Sequence, residues 1–143
     1  YIMNIMEVKF SAKSENESLA RVIVASFAAK LDPTIDELSD IKTAVSEAVT
    51  NAIIHGYEED ETKFVHMRCE LIENTIKVVV EDYGKGIEDI EEAKQPMFTS
   101  KPELERSGMG FSFMESFMDD MQVASIVGEG TKVIMTKTIE VPK

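Results

Sequence analysis

Tryptophan is absent from this 143-residue chain and cysteine occurs once. The lone Cys69 excludes an internal disulfide and a cysteine-based zinc site. It alternates with Met67 and Leu71 on what reads as a strand, and no basic cluster lies beside it to lower its pKa. A reactive thiol is therefore not expected, and a single thiol fits a cytoplasmic location. Long apolar runs are also missing. Nothing approaches the roughly 20 residues that cross a bilayer, and no basic start leads into an apolar stretch, so neither a membrane partner nor export is expected. Positive charge is scarce: 15 basic against 27 acidic residues give a net charge of −12. Such a chain repels phosphate backbones and has no Lys/Arg-rich run to overcome this, so a protein partner is expected and direct nucleic-acid binding is not. With only two histidines, in unrelated contexts, a phosphohistidine relay is not indicated.

Hydrophobic residues make up 43% of the chain, enough for a real core, and the length suggests one domain spanning residues 1–143. Residues 5–10 read as a strand. Ser14 with Glu17 reads as a capping box opening a helix with Leu19, Val22, Ile23, Phe27 and Leu31 as its apolar stripe. Asp32-Pro33 ends that helix. Thr34 with Glu37 offers a second capping box, and the helix it opens runs to about His55, with Gly56 as its stop. Residues 62–72 and 75–82 read as two strands joined at Glu73-Asn74. Residues 84–110 lose periodicity except for an acidic helical piece near 87–93, and a loop of that length is usually functional, here a lid. A helix from Phe111 to Phe117 and a hairpin of strands 121–127 and 131–139 close the chain. This order gives an α+β two-layer sandwich, a mixed, mostly antiparallel sheet with helices on one face.

Three clusters carry chemistry. Glu47 and Asn51 stand four residues apart on one helix face, flanked by Ala44, Ala48, Thr50 and Ala52, which leave room for a ligand. In that reading Asn51 offers its side-chain oxygen to Mg²⁺ and Glu47 accepts a proton from an attacking hydroxyl; the plain alternative is a solvated helix face. Next comes Asp82-Tyr83-Gly84-Lys85-Gly86. Asp82 would accept a hydrogen bond from the adenine amino group while Gly84 and Gly86 let backbone approach the base; the alternative is a strand-ending turn. Gly108-Met109-Gly110-Phe111 then leads into a helix whose first amides face an anion, or is only a hinge. It is not a Walker A loop, since no Gly-Lys-Ser/Thr follows. Thr99, Ser100, Lys101 and Arg106 sit in the lid, to touch phosphates or simply to be solvated. Thr131 could reach Asp82 or a water beside adenine, or simply fill its strand. His55 could border the nucleotide or only face the helix dipole. In this order the clusters suggest an ATP site.

Glu47-x-x-x-Asn51, Asp82-x-Gly84-x-Gly86 and Gly108-x-Gly110 resemble the N, G1 and G2 boxes of the gyrase/Hsp90/histidine-kinase/MutL (GHKL) ATPase superfamily. Within it, Ser46 to Ala52 and the stretch from Gln95 to Gly110 resemble the bacterial anti-sigma factor serine kinases, nearest to their sporulation branch. The likeness runs from about residue 8 to 139. It implies a Bergerat ATP-binding fold and a homodimer that binds a sigma factor, sporulation sigma F, and keeps it from RNA polymerase. It also implies phosphorylation of an anti-anti-sigma factor on serine with Mg-ATP, leaving ADP. It makes Glu47 the general base, Asn51 the Mg²⁺ ligand, Asp82, Gly84 and Gly86 the adenine pocket, and Gly108 and Gly110 the phosphate loop. Arg21 is a candidate partner contact, or an exposed helix arginine. Tyr1-Ile2 departs from the group's pattern, and the chain opens on Tyr1 rather than Met. A stress-response relative with other partners, a nucleotide-dependent binding module without catalysis and a stand-alone ATPase are the competing readings. A histidine-kinase core is disfavoured, because no helix hairpin bearing an acceptor histidine precedes the domain.

Overall fold

The computed structural model describes residues 4–94 and 110–140. The elements are β1 (Asn4–Ser11), α1 (Asn16–Ala28), α2 (Ile35–Asn51), β2 (Phe64–Ile72), β3 (Thr75–Asp82), α3 (Ile90–Ala93), α4 (Gly110–Phe117), β4 (Asp120–Ile126) and β5 (Gly130–Thr138). The strands form one sheet in the order β1-β2-β3-β5-β4. Every ladder described is antiparallel, so the mixed sheet expected from the sequence is here an antiparallel one. The helices cover one face, which gives the expected two-layer α+β arrangement.

Alternation builds the sheet. In β3, Ile76, Val78 and Val80 point toward the helices and are at most 2% exposed, while Lys77, Val79 and Glu81 face the other way. β2 and β5 supply Val65, Met67, Cys69, Val133 and Met135 to the same core. Burial pushes the Cys69 thiol up to about 12, as expected of an unreactive thiol. Met114 on α4 and Met118 just after it are buried and serve packing.

α2 begins as the sequence predicts: the Thr34 hydroxyl accepts the Glu37 amide at 3.1 Å and the Glu37 carboxylate accepts the Thr34 amide at 2.9 Å. The first helix does not. α1 starts at Asn16 after Glu15, with no side-chain cap, and Ser14 gives only its carbonyl to the Glu17 amide at 3.2 Å. The Glu17 side chain is drawn inward, accepting from the Ser46 hydroxyl of α2 and lying 3.5 Å from Arg21. A tertiary partner has replaced the local cap. The apolar stripe shifts too. Leu19 and Val22 are 46% and 65% exposed, while Ala20, Val24, Phe27 and Ala28 are buried. Alanines at the contact let α1 lie close to α2, and Leu19 and Val22 are turned outward while Phe27, with Ile23 and Leu31 beside it, packs on the core.

Candidate functional site

The inward row of β3 ends in a carboxylate. Period two puts Asp82 directly after Val78 and Val80 on the helix-facing side, 5% exposed. Its Oδ1 accepts the Gly84 amide at 2.9 Å. The amide of Thr131, its partner across the β3–β5 ladder, also donates to it. Burial raises the Asp82 pKa to about 6; the two amides pull it down and Glu81 adds to the rise. An acid held this way carries its charge at a desolvation cost and is suited to one more hydrogen-bond donor.

Glycine lets two backbones meet at this point. A Cβ at Gly56 would lie 2.6 Å from the Asp82 carboxylate, and one at Gly84 would lie 1.9 Å from the Gly56 carbonyl oxygen. The end of the Asn-bearing helix therefore touches the end of β3 with no side chain between them. The Lys85 amide donates to the Gly56 carbonyl at 3.0 Å, and the Gly128 amide donates to the Lys85 carbonyl at 2.7 Å. Gly86 has φ +78°, with the Ile126 carbonyl only 2.4 Å from where a Cβ would stand. Gly84 and Gly86 thus let protein backbone approach protein backbone, Gly84 against Gly56 and Gly86 against Ile126, whereas the sequence suggests approach to a base.

Glu47 and Asn51 share the α2 face and are both half-buried, beside the buried Ala44 and Ala48. Nine residues separate Glu47 from Gly56, about 13 Å at an α-helical rise. A ligand whose base sits at Asp82 can thus run along α2 toward Glu47. Residues Ala52–Gly56 form a π turn, which underwinds the helix and changes where His55 falls relative to the Glu47–Asn51 row. His55 is half-buried. Thr131 is 6% exposed, and its hydroxyl turns to the Ser125 hydroxyl at 2.8 Å rather than to Asp82. Its contribution to Asp82 is the backbone amide. Gly110 opens α4, and the Phe111 side chain is 4% exposed within the core, which leaves its backbone as the part able to face a ligand. Thr99, Ser100, Lys101, Arg106, Gly108 and Met109 lie outside the described residues, as does most of the expected lid. Arg21 is half-exposed on α1 beside Glu17.

Three residues near Asp82 escaped sequence reasoning. Gly56 reads as a helix stop, yet it is the contact on which Asp82 rests. Gly130 reads as hairpin punctuation, yet a Cβ there would be 2.1 Å from the Asp82 carbonyl oxygen. Tyr57 carries no motif at all.

A family model for the histidine kinase-like ATPase domain matches residues 10–137. An anti-sigma F factor from Clostridium perfringens is 63% identical over 134 residues, covering 94% of this chain and 96% of that protein. One from Anoxybacillus flavithermus is 59% identical, covering 94% and 92%. This chain belongs to the anti-sigma F factor family. Membership makes it a kinase-like protein of the GHKL ATPase class, with a nucleotide site implied by the domain. The fold agrees with solved structures. The RsbU and RsbW domains of a Mycobacterium tuberculosis protein match with TM-score 0.69 at 17% identity, covering 96% of this chain and 32% of that one. The catalytic domain of the histidine kinase ThkA matches with TM-score 0.57 at 17% identity, covering 94% and 97%. No helix among the described residues is long and apolar enough to cross a membrane.

Proposed function

We propose that this member of the anti-sigma F factor family binds sigma F as a homodimer, keeping it from RNA polymerase. We further propose that it uses Mg-ATP to phosphorylate an anti-anti-sigma factor on serine. The observation that carries the nucleotide half is the buried Asp82 carboxylate. It ends an otherwise apolar row, against glycine backbone, on the side of the sheet where Glu47 and Asn51 lie. Burial costs this carboxylate more than its two amides return, as its raised pKa records, and the exocyclic amine of adenine would add a further donor.

In this reading Asp82 and the Gly84 and Gly86 backbone hold the base, and the ribose and phosphates lie along α2. Asn51 offers one amide oxygen toward magnesium. Among the described residues no three His, Cys, Asp or Glu side chains gather as a metal site. One amide plus phosphate and water oxygens is a donor set that magnesium accepts. When bound, the ion neutralises phosphate charge. Glu47, one turn before Asn51, takes the proton from the substrate serine hydroxyl as it attacks the γ-phosphate. Thr99, Ser100, Lys101, Arg106 and the Gly108–Gly110 turn would close over the phosphates, so that ATP and ADP states bind partners differently.

The test is to incubate the protein with γ-labelled Mg-ATP and an anti-anti-sigma protein. Label on a serine of that protein, lost when Glu47 is replaced by Ala, is the expected result. Nucleotide binding with no transfer would leave a binding module instead, and release of free phosphate alone would indicate an ATPase.

A further inference from the structure

The register of β2 and β3 sets His66 opposite Glu81, and continuing it would set Phe64 opposite Tyr83. That pair does not close. The Tyr57 hydroxyl stands between the two strands, donating to the Phe64 carbonyl at 2.6 Å and accepting the Tyr83 amide at 2.8 Å. One phenolic oxygen takes both halves of a rung that an antiparallel ladder would otherwise make directly. Tyr57 reaches this place from the end of the π turn, where its own amide donates to the Ala52 carbonyl at 2.9 Å. The ring is 7% exposed, so the hydroxyl cannot be replaced by bulk water without opening the core. The Tyr83 ring lies outside, 60% exposed and edge-on to His66 at 5.2 Å. Only the Tyr83 backbone is involved.

We propose that Tyr57 is a positioning residue for base recognition. Its hydroxyl wedges β3 away from β2 immediately after Asp82 and so sets the angle at which the Asp82 carboxylate meets the base. Three elements meet at that oxygen: the end of the Asn-bearing helix, the start of β2 and the turn after β3. Without it, the Tyr83 amide and the Phe64 carbonyl either lose a partner or close on each other. Closing would swing the Asp82-Tyr83-Gly84 turn toward β2 and away from Gly56. Either course changes the adenine end and leaves Glu47 and Asn51 on a helix that does not move. The inference rests on the nucleotide reading above.

The variant is Tyr57→Phe, which keeps the ring and removes one oxygen. Dissociation constants for ATP and GTP are measured by calorimetry, and transfer is measured at saturating ATP. The expected result is an ATP dissociation constant raised about tenfold, the size of one hydrogen bond's contribution. GTP binding changes little, so the preference for adenine falls by the same factor, and kcat stays within about twofold. Equal weakening of both nucleotides together with a lowered kcat would mean general structural support and overturn the proposal, as would unchanged selectivity. Should the variant not fold, hydrogen exchange of the unaltered protein decides. The Tyr83 amide is expected to be as protected as the β3 amides, and exchange at loop rates overturns the wedge. If the unaltered protein binds neither nucleotide, it is the nucleotide reading that fails.

Discussion

The two ends of the α2 surface are built from different materials. At Gly56, backbone meets backbone: Gly56, Gly84 and Lys85 are joined by main-chain contact, and Asp82 is fixed by two amides. At Glu47 and Asn51 the ground is small side chains, and the proposed chemistry rests on two half-buried groups on one helix face. The first end is set by the fold and tolerates almost no added atom. The second can change its chemistry one side chain at a time without disturbing the core. Recognition of the base and transfer of the phosphoryl group should therefore be separable by mutation.

The sharpest separation is Glu47→Ala. Transfer is expected to fall about 10³-fold, the usual worth of a positioned base, with nucleotide affinity nearly unchanged. Calorimetry beside a labelling assay reads both, and lost affinity with transfer preserved would break the comparison. Next is Asp82→Asn. Adenine nucleotides should bind about 100-fold more weakly, because a charge-assisted hydrogen bond is replaced by a mismatched amide.

The same substitution should stabilise the ligand-free protein at pH 7. Burial lifts Asp82 from 3.8 to about 6. The native state therefore binds more protons than the unfolded state between those values, and stability falls as pH rises through that window. Asparagine removes this cost, up to about 3 kcal/mol at about 1.4 kcal/mol per unit. Denaturant unfolding at pH 5 and pH 7 gives the sign, and a loss of stability at pH 7 would contradict the burial argument.

Binding of adenosine, which has no phosphate to titrate, should weaken as pH drops below about 6, approaching tenfold per unit as the carboxylate takes up its proton. The Asp82→Asn variant should be flat over the same range. The smallest effect is Thr34→Ala, far from both ends of the surface. Loss of the capping box should cost about 1 kcal/mol and leave nucleotide binding alone, as a melt and a titration would show.

Much of this was legible in the chain. β3 reads as residues 75–82 and is Thr75–Asp82, because a β-branched run alternating with polar residues specifies a strand without outside help. The α2 cap held for the same reason: both partners lie within four residues. Ser14 and Glu17 carry an equally good local signal, yet Ser46 took the Glu17 carboxylate from across the helix pair, with Arg21 beside it one turn on. The α1 stripe failed only at Leu19 and Val22, while Phe27, Ile23 and Leu31 pack on the core, since which side of a helix is buried depends on what approaches it. The stretch 62–72 overran β2 by two residues, because Thr62 gives its amide and hydroxyl to the Asp60 carboxylate and Lys63 gives its amide to the Asp60 carbonyl, which makes a turn of them.

The sequence by itself determined the order of elements, the inward row that ends at Asp82, and the placing of Glu47 and Asn51 on one helix face. Each follows from periodicities of two and 3.6 residues that act over short range. Tertiary structure alone decided that Gly56 would meet Asp82, that burial would raise its pKa, and that Tyr57 would stand between β2 and β3. Those outcomes depend on distances between segments far apart in the chain, and local preferences do not encode how closely two backbones pack.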